Sequence, residues 1–65
     1  MFQSKLAELM EKKGATVHGL ADLAGVSSRT IMRARGDLIG RCTLDTLGTI
    51  AAALGARTKD LYKEV

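Results

Sequence analysis

Arg29 and Arg33 stand four residues apart, with Ile31 midway between them. A helix turns by about 100° per residue, so if Ile31 marks the buried side, both arginines fall within roughly 20° of the opposite side. Arginine carries a planar fork of donors, and guanine offers two acceptors, O6 and N7, to such a fork in the major groove. Two arginines held this way on one rigid element are candidate readers of base edges. Ser28, in the first turn of the same helix, can donate or accept, and Met32 can contact a thymine methyl group. The expected base-reading set is therefore Ser28, Arg29, Met32 and Arg33.

The preceding residues supply what would hold that helix in place. Leu20, Ala21, Leu23 and Ala24 recur at spacings that put apolar side chains on one helical stripe, and that stripe is expected to be buried. Gly25 follows at once, and glycine enters the left-handed conformation cheaply, so one helix ends there and the chain swings toward the next. Val26 offers an apolar plug, and Ser27 is the N-cap of a helix of about two turns, Ser28 to Arg35. Two short helices joined at a glycine predict a helix-turn-helix. Gly19, inside the first of them, costs about 1 kcal/mol relative to alanine, and close approach of another backbone would account for it.

Charge points the same way. The formal net charge is +3. Lys5, Lys12 and Lys13 cancel Glu8, Glu11 and Asp22, and near the end Arg57, Lys59 and Lys63 cancel Asp45, Asp60 and Glu64. The whole excess sits between Arg29 and Arg41, as four arginines less Asp37. Local excess of this kind is a footprint for phosphate. Arg41 and the amide end of the helix after Thr43 are expected to hold phosphate, with Thr16, His18 and the lysines Lys12 and Lys13 as further candidates. Arg35 either pairs with Glu11 or adds another phosphate contact.

Leu20, Ala21, Gly25, Val26 and Ile31, together with the later run from Leu44 to Gly55, resemble the Cro and CI repressor family of phages, also called the Xre family. The resemblance covers nearly the whole chain and is specific as a set. It implies base contacts at the positions of the recognition helix named above. It also implies an all-α fold, a compact five-helix bundle of the lambda-repressor-like type with a central helix-turn-helix. Val17 stands where the family usually has a phosphate-binding glutamine. Arg35-Gly36-Asp37 replaces the family's acidic residue followed by Asn-Gly.

Composition agrees with that class. The chain has 65 residues, no proline and 46% hydrophobic residues, which fits one helical domain spanning residues 1–65. A domain this short is near the lower limit for a core without disulfides or metal. The single cysteine, Cys42, can form no internal bridge, and His18 has no carboxylate or thiol cluster at metal or triad spacing. No cofactor, metal or small-molecule ligand is expected, and catalysis finds no support. The longest apolar run, Ile50 to Leu54, is too short for a membrane span, and the N-terminus has no signal-like run, so a cytoplasmic protein is expected. Aromatic side chains on which RNA bases would stack are limited to Phe2 and Tyr62, away from the arginines.

Three more helices complete the expected bundle. The first runs from about Ser4 to Lys13 with Leu6, Leu9 and Met10 inward, ended by Gly14. The fourth follows its cap Thr43, with Leu44, Leu47, Ile50, Ala51 and Leu54 inward, and stops at Gly55. The fifth runs from Lys59 to about Glu64 behind Thr58. Gly36 closes the recognition helix, and Leu38 and Ile39 in the loop behind it are expected to pack on a partner subunit.

The resulting expectation is a regulator of the Cro type, a repressor that binds a pseudo-palindromic double-stranded operator as a homodimer. Two recognition helices in such a dimer lie about 34 Å apart, one turn of B-DNA. The rival expectation is an interaction module of the same fold, such as an antitoxin holding a toxin, for which Leu38, Ile39, Tyr62 and Val65 would form the contact surface.

Overall fold

The computed structural model describes residues 1–65. Four α-helices surround one core: α1 (Leu6–Lys13), α2 (Val17–Ala24), α3 (Ser28–Ala34) and α4 (Leu44–Ala53). A 3₁₀ helix, Asp37–Arg41, joins α3 to α4, and a second, Thr58–Leu61, follows α4. The two ends of the chain pair as antiparallel strands, β1 (Phe2–Ser4) and β2 (Tyr62–Glu64), in the register Phe2 to Glu64 and Ser4 to Tyr62.

That sheet corrects the five-helix expectation. A helix of six residues from Lys59 to Glu64 would be too short to stand by itself. The segment instead makes one 3₁₀ turn that buries Leu61 and then runs extended. Its backbone partner comes from the other end of the chain. The Lys5 amide donates to the Leu61 carbonyl at 2.8 Å and the Val65 amide to the Met1 carbonyl at 2.9 Å. Phe2 and Tyr62, diagonal across the pair, meet edge to face with centroids 5.4 Å apart. The first helix accordingly starts at Leu6, and Ser4 does other work. Its hydroxyl donates to the carbonyl of Ala34, one of the carbonyls left open at the end of α3.

The predicted caps form. Thr16 accepts from the Gly19 amide at 3.0 Å, Ser27 from Thr30 at 3.2 Å and Thr43 from Thr46 at 3.1 Å. Thr58 caps nothing; the Arg57 amide donates to the Asp60 carboxylate at 3.0 Å at that place. Gly19 is explained by its own cap and not by a second backbone, because a Cβ there would stand 2.8 Å from the Thr16 hydroxyl oxygen. A side chain would gain helix propensity and lose the cap, each worth about 1 kcal/mol.

Gly25 has φ +71°, and nothing lies within 4 Å of where its Cβ would be. Gly25→Ala therefore meets no clash and tests backbone conformation alone. We expect a loss of about 1–2 kcal/mol of stability, read as a lower urea midpoint at unchanged slope.

Eleven residues form the buried core, among them Leu6, Leu20, Ile31, Ile39, Ile50 and Leu61. Leu9, Ala24, Val26 and Leu54 pack half-buried against it. Two predicted core residues do not. Leu23 is 76% exposed and Leu44 69% exposed. On α2 the buried arc is centred between Leu20 and Ala21, and Leu23 lies about 110° from that centre. Leu44 is the first residue of α4 and stays largely open to solvent, lining a surface groove with Phe2 and Tyr62. Ile39 is corrected in the other direction: it is 1% exposed, so it belongs to the core and not to a partner contact.

Candidate nucleic-acid interface

Ile31 and Ala34 of α3 are wholly buried, and this sets which way the helix faces. Arg29 and Arg33 project from the exposed side, as the spacing predicts. Met32 is 63% exposed, whereas Ser28, in the first turn, is half-buried. All four nevertheless line one open concavity, and Leu38 from the following 3₁₀ helix closes its side. The sequence pattern does not place Leu38 there. It lies beyond the end of α3, and only the turn at Gly36 brings it back beside the helix.

Every side-chain hydrogen bond in the chain involves a hydroxyl, the Cys42 thiol or the Asp60 carboxylate. The guanidinium groups of Arg29, Arg33, Arg35 and Arg41 are thus left to solvent and to any ligand. Arg35 makes no bond to Glu11; it is the exposed C-cap of α3. Helix α3 stops at Ala34 and the 3₁₀ turn begins at Asp37, without a left-handed residue between them.

The other residues expected at phosphate, Thr16, His18, Arg35, Arg41 and Thr43, are all exposed, and none lines the concavity of α3. They lie at the start of α2, the end of α3, the end of the 3₁₀ turn and the start of α4. The two helix starts differ in a way that the sequence pattern alone conceals. The Thr43 hydroxyl already donates to Thr46 at 2.9 Å, and Asp45 puts a carboxylate in the first turn of α4. Thr16 accepts from Gly19 but donates to no protein atom, and the first turn of α2 carries no acidic residue. A phosphate oxygen would therefore meet a free hydroxyl donor and a positive helix end at α2, and a competing negative charge at α4.

Elsewhere the surface offers less chemistry. No three His, Cys, Asp or Glu side chains come together as metal ligands. No helix is long and apolar enough to cross a membrane. An apolar groove of about 310 Å³, lined by Phe2, Ile39, Gly40, Cys42, Leu44, Leu47 and Tyr62, opens beside the strands.

No curated protein and no solved structure matches the chain. A family model does: that of the Cro/C1-type helix-turn-helix DNA-binding domain, over residues 5–64. The match spans every α-helix and both 3₁₀ turns, including the capped turn at Gly25 and the solvent-facing arginines of α3. With the sequence pattern, the observed helix-turn-helix and the family model in agreement, the chain belongs to the Cro/C1-type helix-turn-helix DNA-binding domains.

Proposed function

We propose that this DNA-binding domain is a sequence-specific regulator, a repressor of the Cro type that binds a pseudo-palindromic operator as a homodimer. The observation that carries the reading is the face of α3, where two arginines one turn apart, free of protein partners, stand on the side away from buried Ile31 and share one concavity with exposed Met32 and half-buried Ser28. With α3 in the major groove, Arg29 and Arg33 engage guanine O6 and N7, and Ser28 and Met32 contact the neighbouring bases. Arg35, Arg41, Thr16 and His18 hold phosphates and so fix the register, with Thr43 the weakest of the set because of Asp45. Occupancy would depend on protein concentration and operator sequence, and repression would follow from blocking polymerase. The place of action is the cytoplasm of a bacterial or phage-infected cell.

Selection from random duplex DNA at about 150 mM salt tests this, because the salt concentration sets how much of the affinity is unspecific. Retained duplexes should share an inverted repeat with guanines in each half-site, their centres about ten base pairs apart. Sequence-blind retention would overturn the reading.

Arg41→Ala separates positioning from base reading. Binding should weaken about equally on all sequences, and the slope of log affinity against log salt should become shallower by roughly 1.8, about 0.9 for each of the two phosphate contacts the homodimer loses. A loss confined to one base pair, measured by titration against single-base variants, would contradict the assignment.

A second reading is supported by the apolar groove beside the strands and by exposed Leu44 at its rim. Such a surface suits a protein partner, as an antitoxin would need, or the second subunit of the proposed homodimer. An inverted repeat in the selected DNA favours the homodimer, and absence of any selected sequence favours the foreign partner.

A further inference from the structure

Leu38 lies outside the helix-turn-helix, second in the 3₁₀ helix Asp37–Arg41. It is 46% exposed, while its neighbour Ile39, at 1%, is locked in the core and fixes the turn that carries it. Single exposed leucines are ordinary on protein surfaces. This one is distinguished by its place, because it shares a concavity with Ser28, Arg29, Met32 and Arg33. Leu23 and Leu44, the other exposed leucines, lie at different concavities.

The wall so formed combines two unpartnered cations with two large aliphatic side chains. Its occupant must be anionic overall and carry a small apolar group. Among the base edges in the major groove, only the C5-methyl of thymine is apolar. Leu38 has no polar atom with which to read any other edge.

We infer that Leu38 and Met32 clamp the methyl group of one thymine in each half-site, beside the guanines engaged by Arg29 and Arg33, and that Leu38 is a specificity-determining residue. The inference rests on the reading of α3 as the base-reading helix. It adds a contact from a segment outside that helix.

Deoxyuridine in place of thymine removes the methyl and preserves pairing. Each thymine of a selected half-site is replaced in turn, and affinity is measured for the unaltered protein, Leu38→Ala and Leu38→Met. One position should cost the unaltered protein about fourfold, the value of one buried methyl group. Leu38→Met should retain that cost, and Leu38→Ala should reduce it below about twofold while keeping its preference for the guanines, which shows that it still folds. An equal uracil cost in the unaltered protein and Leu38→Ala, or no cost at any thymine, overturns the inference and leaves the base-reading assignment standing. If random duplexes yield no selected sequence, that assignment fails and the inference with it.

Discussion

Arg33→Ala should lower affinity for the selected operator by roughly 30- to 25,000-fold, because the homodimer loses one bidentate contact in each half-site, about 2–6 kcal/mol in all. Arg33 is exposed and bonded to nothing in the protein, so its removal leaves no buried group unsatisfied. The loss falls on the DNA side, where guanine O6 and N7 are desolvated without a partner. Base preference should therefore collapse at one half-site position and persist at the others. Arg33→Lys supplies the graded control: the ammonium restores charge and salt dependence and still donates to guanine O6 and N7, but without the planar fork its preference for guanine should weaken. Competition against the four base pairs at each position measures both effects. If Arg33→Lys and the unaltered protein prefer the same base equally, the bidentate assignment is wrong.

Ile31→Ala should be the most damaging truncation on the same helix, acting through the fold and not through contact. Ile31 is fully buried, and large-to-alanine changes in cores cost about 2–5 kcal/mol. Total stability for a domain of this size is only about 3–10 kcal/mol. The midpoint of thermal unfolding should fall by on the order of 10–40 °C. Helix α3 has seven residues, too few to persist without its anchor, so the arginine face is lost when the core opens. Because operator binds only the folded state, saturating operator should recover part of the lost stability. A shift of about 3 °C or less would show that α3 is held by something other than its packing.

These expectations rest on the parts of the chain whose physics is local. A cap needs one hydroxyl three residues before an amide, and Thr16, Ser27 and Thr43 each have it. Glycines at helix ends enter the left-handed region wherever the chain must turn back, as at Gly14, Gly25 and Gly55. The strands are different. Phe2–Ser4 and Tyr62–Glu64 are three residues each, too short to show alternation, and each is extended only because the other lies beside it. Pairing across the whole length of the chain leaves no periodic trace. The burial of Ile39 is illegible in the sequence for a related reason: a five-residue 3₁₀ turn has no amphipathic stripe, so burial there depends on what surrounds it.

The candidate site divides along the same line. Arg29, Met32 and Arg33 lie on one helix whose buried side is marked by Ile31, so spacing sufficed to place them. Leu38 reaches the same concavity only through the fold of the chain after Ala34. The contrast between Thr16 and Thr43 was likewise hidden. Both are threonine caps in the sequence, and only hydrogen-bond geometry shows that one hydroxyl proton is already committed to Thr46.

The central claim is that α3 reads guanine from the major groove, and replacing single operator guanines by 7-deazaguanine tests it most directly. The substitution removes N7, an acceptor in the major groove, and leaves Watson–Crick pairing intact. Affinity should fall at the guanines engaged by Arg29 and Arg33, and Arg33→Ala should be indifferent to the change at the guanine it no longer contacts. Full affinity with every operator guanine replaced would mean that α3 does not read the major groove through its arginines.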